Sequence, residues 1–177
     1  ATVIVDEPVE YVLPSGETWS PQNYYRDYQG PITLRDALEN SINVVAVKLL
    51  DQVGIKNVIN LAKNMGITTI VEEGRYNDLG LAPLALGGLT HGVTVLEMAS
   101  AYGVFANQGV WVEPVAITKV LDSEGNVLEE SKQRSREVLS EQTVYIMNDM
   151  LRGVVERGTG RRASIGRPAA GKTGTAQ

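Results

Sequence analysis

Two short polar runs carry the reactive side chains of this sequence. One reads Ala169-Ala170-Gly171-Lys172-Thr173-Gly174-Thr175, and the other, far upstream, reads Ser41-Ile42-Asn43. The Ser41 hydroxyl can both take and give a proton, so it can relay one to a leaving amine. The Asn43 amide can fix a substrate carbonyl and a neighbouring lysine. Lys172 places positive charge beside such a hydroxyl and beside an anionic substrate carboxylate. Thr173 and Thr175 add hydroxyls facing that carboxylate, and a backbone N–H near Thr175 can help hold an oxyanion. Gly174 has no side chain, so a peptide can lie flat along that strand edge. Together these groups suit acyl transfer at a peptide carbonyl.

The same run also supports a different chemistry. Counted from Gly166, it fits the phosphate-loop pattern G-x-x-x-x-G-K-[ST] at every position. A phosphate loop needs a buried strand before it and a helix after it. Arg161-Arg162-Ala163-Ser164-Ile165 is not a buried strand, and Gly174-Thr175-Ala176-Gln177 leaves no helix to follow Thr173. Gly158 to Ala163 fits G-x-G-x-x-[GA] and lacks a preceding strand in the same way. A P-loop nucleotide binder is therefore the remote alternative.

The elements that must position these runs are mixed. Val3 to Val5 and Val9 to Leu13 suit short extended segments. Residues 14–31 hold Pro14, Gly16, Pro21, Gly30 and Pro31 among Trp19, Tyr24, Tyr25 and Tyr28, a loop packed down by its aromatics. Thr33 with Asp36 predicts a capped helix through Leu38, which the short polar side chains of residues 40–43 interrupt. A second helix runs from Val44 to Gly54, and a third over residues 56–65 turns Val58, Leu61, Ala62 and Met65 inward before Gly66. Residues 66–93 are glycine-rich and read as mostly loop. Thr94 with Glu97 predicts a capping box and a helix ending near Asn107. Val115 to Leu121 and Val127-Leu128 flank a hairpin turn over residues 122–126. Ser140 caps a helix with Val144, Met147, Met150, Leu151 and Val154 inward. Arg157 to Arg167 is a loop, and Ala169 onward is extended. The order predicts an α+β domain with an incomplete sheet.

Composition removes several classes of function. The 177 residues carry a net charge of −5 with no basic stripe, which argues against a nucleic-acid partner. With no cysteine and one histidine, disulfides, thiolate metal sites and His-rich metal clusters are excluded, and no metal site is expected. No apolar run approaches the roughly 20 residues of a membrane span. His91 reads as a loop hydrogen-bonding residue and Trp111 as packing. Arg157, Arg161, Arg162 and Arg167 read as a solvated positive loop, and Glu72-Glu73 and Glu129-Glu130 as solvated faces.

S-x-N and K-T-G are two of the three signatures of penicillin-binding proteins and class A β-lactamases. Their surroundings go further. Trp19 to Tyr24, Tyr28 to Leu38 and Ser41 to Val47 strongly resemble the transpeptidase domain of class A penicillin-binding proteins. So do Ala85-Leu86-Gly87-Gly88, Leu96 to Tyr102, Phe105 to Gly109, and Gly158-Thr159-Gly160 followed by Ala170 to Thr175, in the family's order along essentially all of the chain. The resemblance implies a partial serine β-lactamase/penicillin-binding-protein-like fold with residues 1–177 as part of one transpeptidase domain. It implies a serine-type D-alanyl-D-alanine transpeptidase that forms an acyl-enzyme on peptidoglycan stem peptides and is acylated by β-lactams. Catalytic roles then fall to Ser41, Asn43 and Lys172, and substrate binding to Thr173, Gly174 and Thr175. No cofactor is implied. Members are membrane-anchored and face outside the cytoplasm.

One departure matters. The family's nucleophile lies in S-x-x-K, and no serine here has lysine three residues on; Ser131 and Ser164 have Arg134 and Arg167 there. Arginine stays protonated and is no base for activating a serine. The expectation is that the chain starts after the nucleophile segment and stops before the last strands and closing helix. By itself it should then be inactive. Sheet edges left open invite another chain, such as the remainder of the domain, or self-association. The alternative from a different class is a non-catalytic module that binds peptidoglycan peptides.

Overall fold

The computed structural model describes residues 2–174. The N-terminal part packs a hairpin of distant strands on a helix pair. Strand β1 (Val3–Asp6) runs antiparallel to the strand Gly30–Thr33, with Val3 opposite Thr33 and Asp6 opposite Gly30. Between them lie β2 (Tyr11–Val12) and β3 (Thr18–Trp19), a two-residue ladder, which makes Gly30–Thr33 strand β4. Helix α1 (Leu34–Glu39) follows without a gap, because the Thr33 hydroxyl accepts the Asp36 N–H at its first turn. Helix α2 (Asn43–Val53) starts after a three-residue link, residues 40–42, and stops at Gly54, whose φ of 90° suits glycine. Ile4, Ile32, Ala37, Ile42 and Val45 form one buried cluster across the two strands and two helices. On α2, Val44, Val45, Val47 and Leu50 are all buried, and each such side chain contributes about 2 kcal/mol of apolar burial.

Helix α3 (Ile55–Asn64) buries Ile59, whereas Leu61, expected inward, is exposed. The loop over residues 66–93 contains a short helix, α4 (Leu81–Leu86), that packs on α2. What organises this loop is Asp78. It is fully buried and accepts the Val71 N–H, the Thr90 N–H and the Thr90 hydroxyl at 2.7–2.8 Å. Burial alone would raise its pKa, but those hydrogen bonds, with His91 nearby, hold it below the ordinary aspartate value. His91 itself is exposed.

Helix α5 (Val95–Ala106) has the full Thr94/Glu97 capping box. Strand β5 (Val110–Val112) pairs antiparallel with the later strand Ser135–Glu137. Between them, β6 (Lys119–Leu121) and β7 (Val127–Glu130) make the expected hairpin, so Ser135–Glu137 is β8. Trp111 packs as expected: it is buried, donates to Ser100 Oγ at 2.9 Å, and lies 3.8 Å beneath the Arg136 guanidinium. Helix α6 (Glu141–Glu156), capped by Ser140, buries Val144, Leu151, Gly153, Val154 and Val155. A single 3-10 turn at Arg161–Ala163 ends the regular structure among the described residues.

The described strands form four separate two-stranded ladders, not a single sheet. Among the described residues no helix is long and apolar enough to cross a membrane, and no group of acidic, histidine or cysteine side chains could hold a metal ion.

Candidate active site

Ser41 sits in the tight link between α1 and α2. Its φ of 56° is left-handed, an uncommon conformation for a residue with a side chain. The link is held by backbone bonds from Ser41 N–H to Leu38 O and from Ile42 N–H to Ala37 O. The N-cap residue of α2, Ile42, has no side chain able to cap the helix. Asn23 does so from a distance, its amide oxygen accepting the Val44 N–H at 3.1 Å. The Asn23 amide nitrogen is in turn bound by both carboxylate oxygens of fully buried Asp6, at 2.9 and 3.0 Å, and by Asp27 O. Gln29 N–H completes the clamp on Asp6. The loop over residues 14–31 is therefore fastened by a polar clamp and by half-buried Trp19 against Tyr11, not by Tyr24 and Tyr25, which are 78% and 82% exposed. An aromatic-rich segment suggested packing, and nothing local marks Asn23 as the partner of residues 6 and 44.

Lys172 reaches Ser41 across 131 residues of sequence, its Nζ donating to Ser41 Oγ at 2.7 Å. The same ammonium donates to Thr173 O at 3.0 Å. Partial burial lowers the Lys172 pKa from the ordinary lysine value. A lysine with a lowered pKa gives up its proton more readily, and a hydroxyl within hydrogen-bond reach is the group that can take or pass it on. Thr173 is tied through its hydroxyl to Thr159 Oγ1 at 2.7 Å. Upstream, Gly171 N–H donates to Leu151 O, which anchors the run to α6.

Two expectations need correction, the strand edge at Lys172 and the setting of Arg157. Residues 164–174 pair in no strand ladder, so the run bearing Lys172 and Gly174 has no strand edge among the described residues. The Asn43 amide nitrogen donates to Gln22 O at 3.0 Å; the first position of α2 points that amide at the loop ahead of it. Arg157 is half-exposed but is not an unpaired loop residue. It makes a two-point pair with buried Glu39, Nε to Oε2 at 2.8 Å and Nη2 to Oε1 at 2.5 Å. Thr175 lies outside the described residues. The nucleotide reading finds neither of its required elements: no strand enters at Gly166 and no helix follows Lys172 within the described residues. Two surface clefts of about 470 and 580 Å³ are lined by other residues, between α5 and β5 and between α5 and α6.

The chain is similar to known proteins over almost all of its length. The family model of the penicillin binding protein transpeptidase domain matches residues 6–177. Penicillin-binding protein 1A of Aquifex aeolicus is 45% identical over 167 residues, covering 93% of this chain and 22% of that protein. Penicillin-binding protein 1A of Clostridium novyi is 40% identical over 185 aligned residues, covering 99% of this chain and 21% of that protein. The chain thus spans about a fifth of the length of these curated relatives. Among solved structures, the D,D-transpeptidase domain of a peptidoglycan glycosyltransferase from Eggerthella lenta superposes with a TM-score of 0.75 at 28% identity, over 99% of this chain and 48% of that one. Penicillin-binding protein 1A from Haemophilus influenzae shares the fold, with a TM-score of 0.81 at 24% identity over 98% of this chain and 31% of that one. By its two motifs, its fold and its relatives, the chain belongs to the penicillin-binding protein transpeptidase family.

Proposed function

We propose that this chain supplies the proton-handling half of a serine D-alanyl-D-alanine transpeptidase site, with Ser41 as relay, Lys172 as its partner, and the nucleophile in an S-x-x-K segment outside these 177 residues. The observation that carries the reading is the 2.7 Å bond from Lys172 Nζ to Ser41 Oγ. In the acylation step the nucleophilic serine oxygen bonds to the carbonyl carbon of the penultimate D-alanine. The nucleophile's proton passes to the lysine of its own S-x-x-K segment, the bond to the terminal D-alanine nitrogen breaks, and that nitrogen takes the Ser41 proton, which Lys172 replaces. In the second step an amine from another stem peptide attacks the ester carbonyl and gives a proton through Ser41 back to Lys172, while the serine oxygen leaves and takes its proton from the S-x-x-K lysine. Lys172 and the Thr173 hydroxyl face the substrate carboxylate, and Thr175 and Gly174 extend that contact. β-Lactams enter by the same first step, with the ring amide in place of the D-alanine peptide bond. Peptidoglycan as substrate places the site outside the cytoplasm, on a protein anchored through a segment beyond these residues.

The test uses the full-length gene product and a fluorescent penicillin. Ser41→Ala should slow acylation by roughly 10²-fold or more while leaving the melting temperature unchanged. The isolated 177-residue chain should show no penicillin adduct by intact mass. A stoichiometric adduct on the isolated chain would overturn the placement of the nucleophile. Wild-type acylation by the Ser41→Ala protein would overturn the relay. A full-length protein that binds stem peptides yet takes up no penicillin would favour a non-catalytic binding module, the reading that the missing S-x-x-K supports.

A further inference from the structure

Ser41 and Lys172 meet because both are fastened to one residue that carries no motif. Glu39 ends α1 two positions before Ser41. Its backbone carbonyl accepts the Thr159 N–H at 3.0 Å, and the Thr159 hydroxyl holds Thr173, the neighbour of Lys172. Its carboxylate, with a side chain only 5% exposed, is gripped by the Arg157 guanidinium in a two-point pair, and Arg35 stands 4.0 Å from the same oxygen. A ring of contacts closes: Glu39 to Thr159, Thr159 to Thr173, Lys172 to Ser41, and back along the chain to Glu39. Two glycines make the close approach possible. A Cβ on Gly158 would stand 2.3 Å from Glu39 O, and one on Gly153 would stand 2.0 Å from Glu39 Oε1. Neither contact could be tolerated without moving Glu39, since real Cβ atoms do not approach so closely.

We propose that Glu39, held by Arg157 and admitted by Gly153 and Gly158, is the positioning residue that sets the Ser41–Lys172 distance. A buried carboxylate with a forked guanidinium partner has one favoured geometry, so it fixes the end of α1 relative to residues 157–159. The ring then carries that placement to both reacting groups. Surface pairing would not do this. Arg152 and Glu156 on α6 form an i,i+4 pair that is half-exposed at both ends, without the buried carboxylate that Glu39 brings to Arg157.

The inference rests on the relay reading above, and its test separates the two. In the full-length gene product, Glu39→Gln and Gly153→Ala should each cut penicillin acylation by roughly 10²-fold, the cost of an ångström-scale misplacement. Both should also shift the side-chain NH₃⁺ resonance of Lys172, assigned by its loss in Lys172→Arg. In a Ser41→Ala background, Glu39→Gln should slow acylation little further, because the two act on one contact. Arg157→Lys, which keeps the charge and loses the fork, is the milder variant. It should remain folded and show a smaller loss of rate with the same direction of resonance shift. If Glu39→Gln and Arg157→Lys lower the melting temperature but leave both the rate and the Lys172 resonance at wild-type values, Glu39 is only a docking residue and the proposal is overturned. If Ser41→Ala alone leaves the rate unchanged, it is the relay reading that fails.

Discussion

The junction around Ser41 and the capping box at Thr94 are made of the same kinds of bond at very different sequence distances. In the box, Thr94 Oγ1 accepts the Glu97 N–H and Glu97 Oε2 accepts the Thr94 N–H, so both partners lie within one turn. At the junction, the bonds that matter join residue 6 to 23, 23 to 44, 39 to 157 and 41 to 172. The first arrangement can form as soon as a helix starts. The second exists only after α1, α2 and α6 have packed, because none of its partners is within reach in an extended chain. Local bonds therefore stabilise an element, whereas the long-range ones decide what the element's end is next to.

This contrast can be broken by mutation. Asn23→Ala should have the largest effect of the stability variants. It removes the remote cap of α2 and leaves the Asp6 carboxylate buried with one remaining donor, at a cost of about 3 kcal/mol. Urea denaturation of wild type and variant measures it, and a loss no larger than that of an ordinary surface substitution would show that the clamp is not structural. Thr94→Ala removes a single local cap and should cost about 1 kcal/mol in the same assay. A cost equal to that of Asn23→Ala would erase the difference between the two regions.

A smaller effect should come from Glu97→Gln, which keeps a hydrogen-bonding oxygen and loses only the charge. Backbone and hydroxyl donors from Thr68 and Thr94 hold the Glu97 pKa at about 2, below its ordinary 4.5. A carboxylate with a depressed folded pKa stabilises fully above the unfolded value and loses that contribution as pH falls through the folded one. The melting-temperature gap between wild type and Glu97→Gln should therefore be open at neutral pH and close between about 4.5 and about 2. A gap unchanged across that range would mean that the charge contributes nothing.

The expectations that held were those whose signals sit within a few residues. The Thr94 box, the Ser140 cap, the stops at Gly54 and Gly66 and the turn between β6 and β7 all follow from side chains next to the backbone they serve. The expectations that failed needed a partner the local pattern does not name. Leu61 has the spacing of a buried residue on α3, but the face that meets the core belongs to Ile59. Tyr24 and Tyr25 look like anchors, yet an asparagine between two buried partners does the anchoring. Arg157 in a glycine and arginine run reads as solvent-facing until Glu39 is placed against it.

From sequence alone, residue types and order determined the family resemblance, the two motifs, the α+β class and the pairing of Ser41 with Lys172 as chemistry. The tertiary structure decided the rest. It brought Lys172 Nζ to 2.7 Å from Ser41 Oγ, turned Asn43 toward Gln22, and paired Glu39 with Arg157. The physical reason is the range of the interactions. A cap or a turn is selected by the few residues that form it. A bond across 131 residues is selected by everything that packs between them.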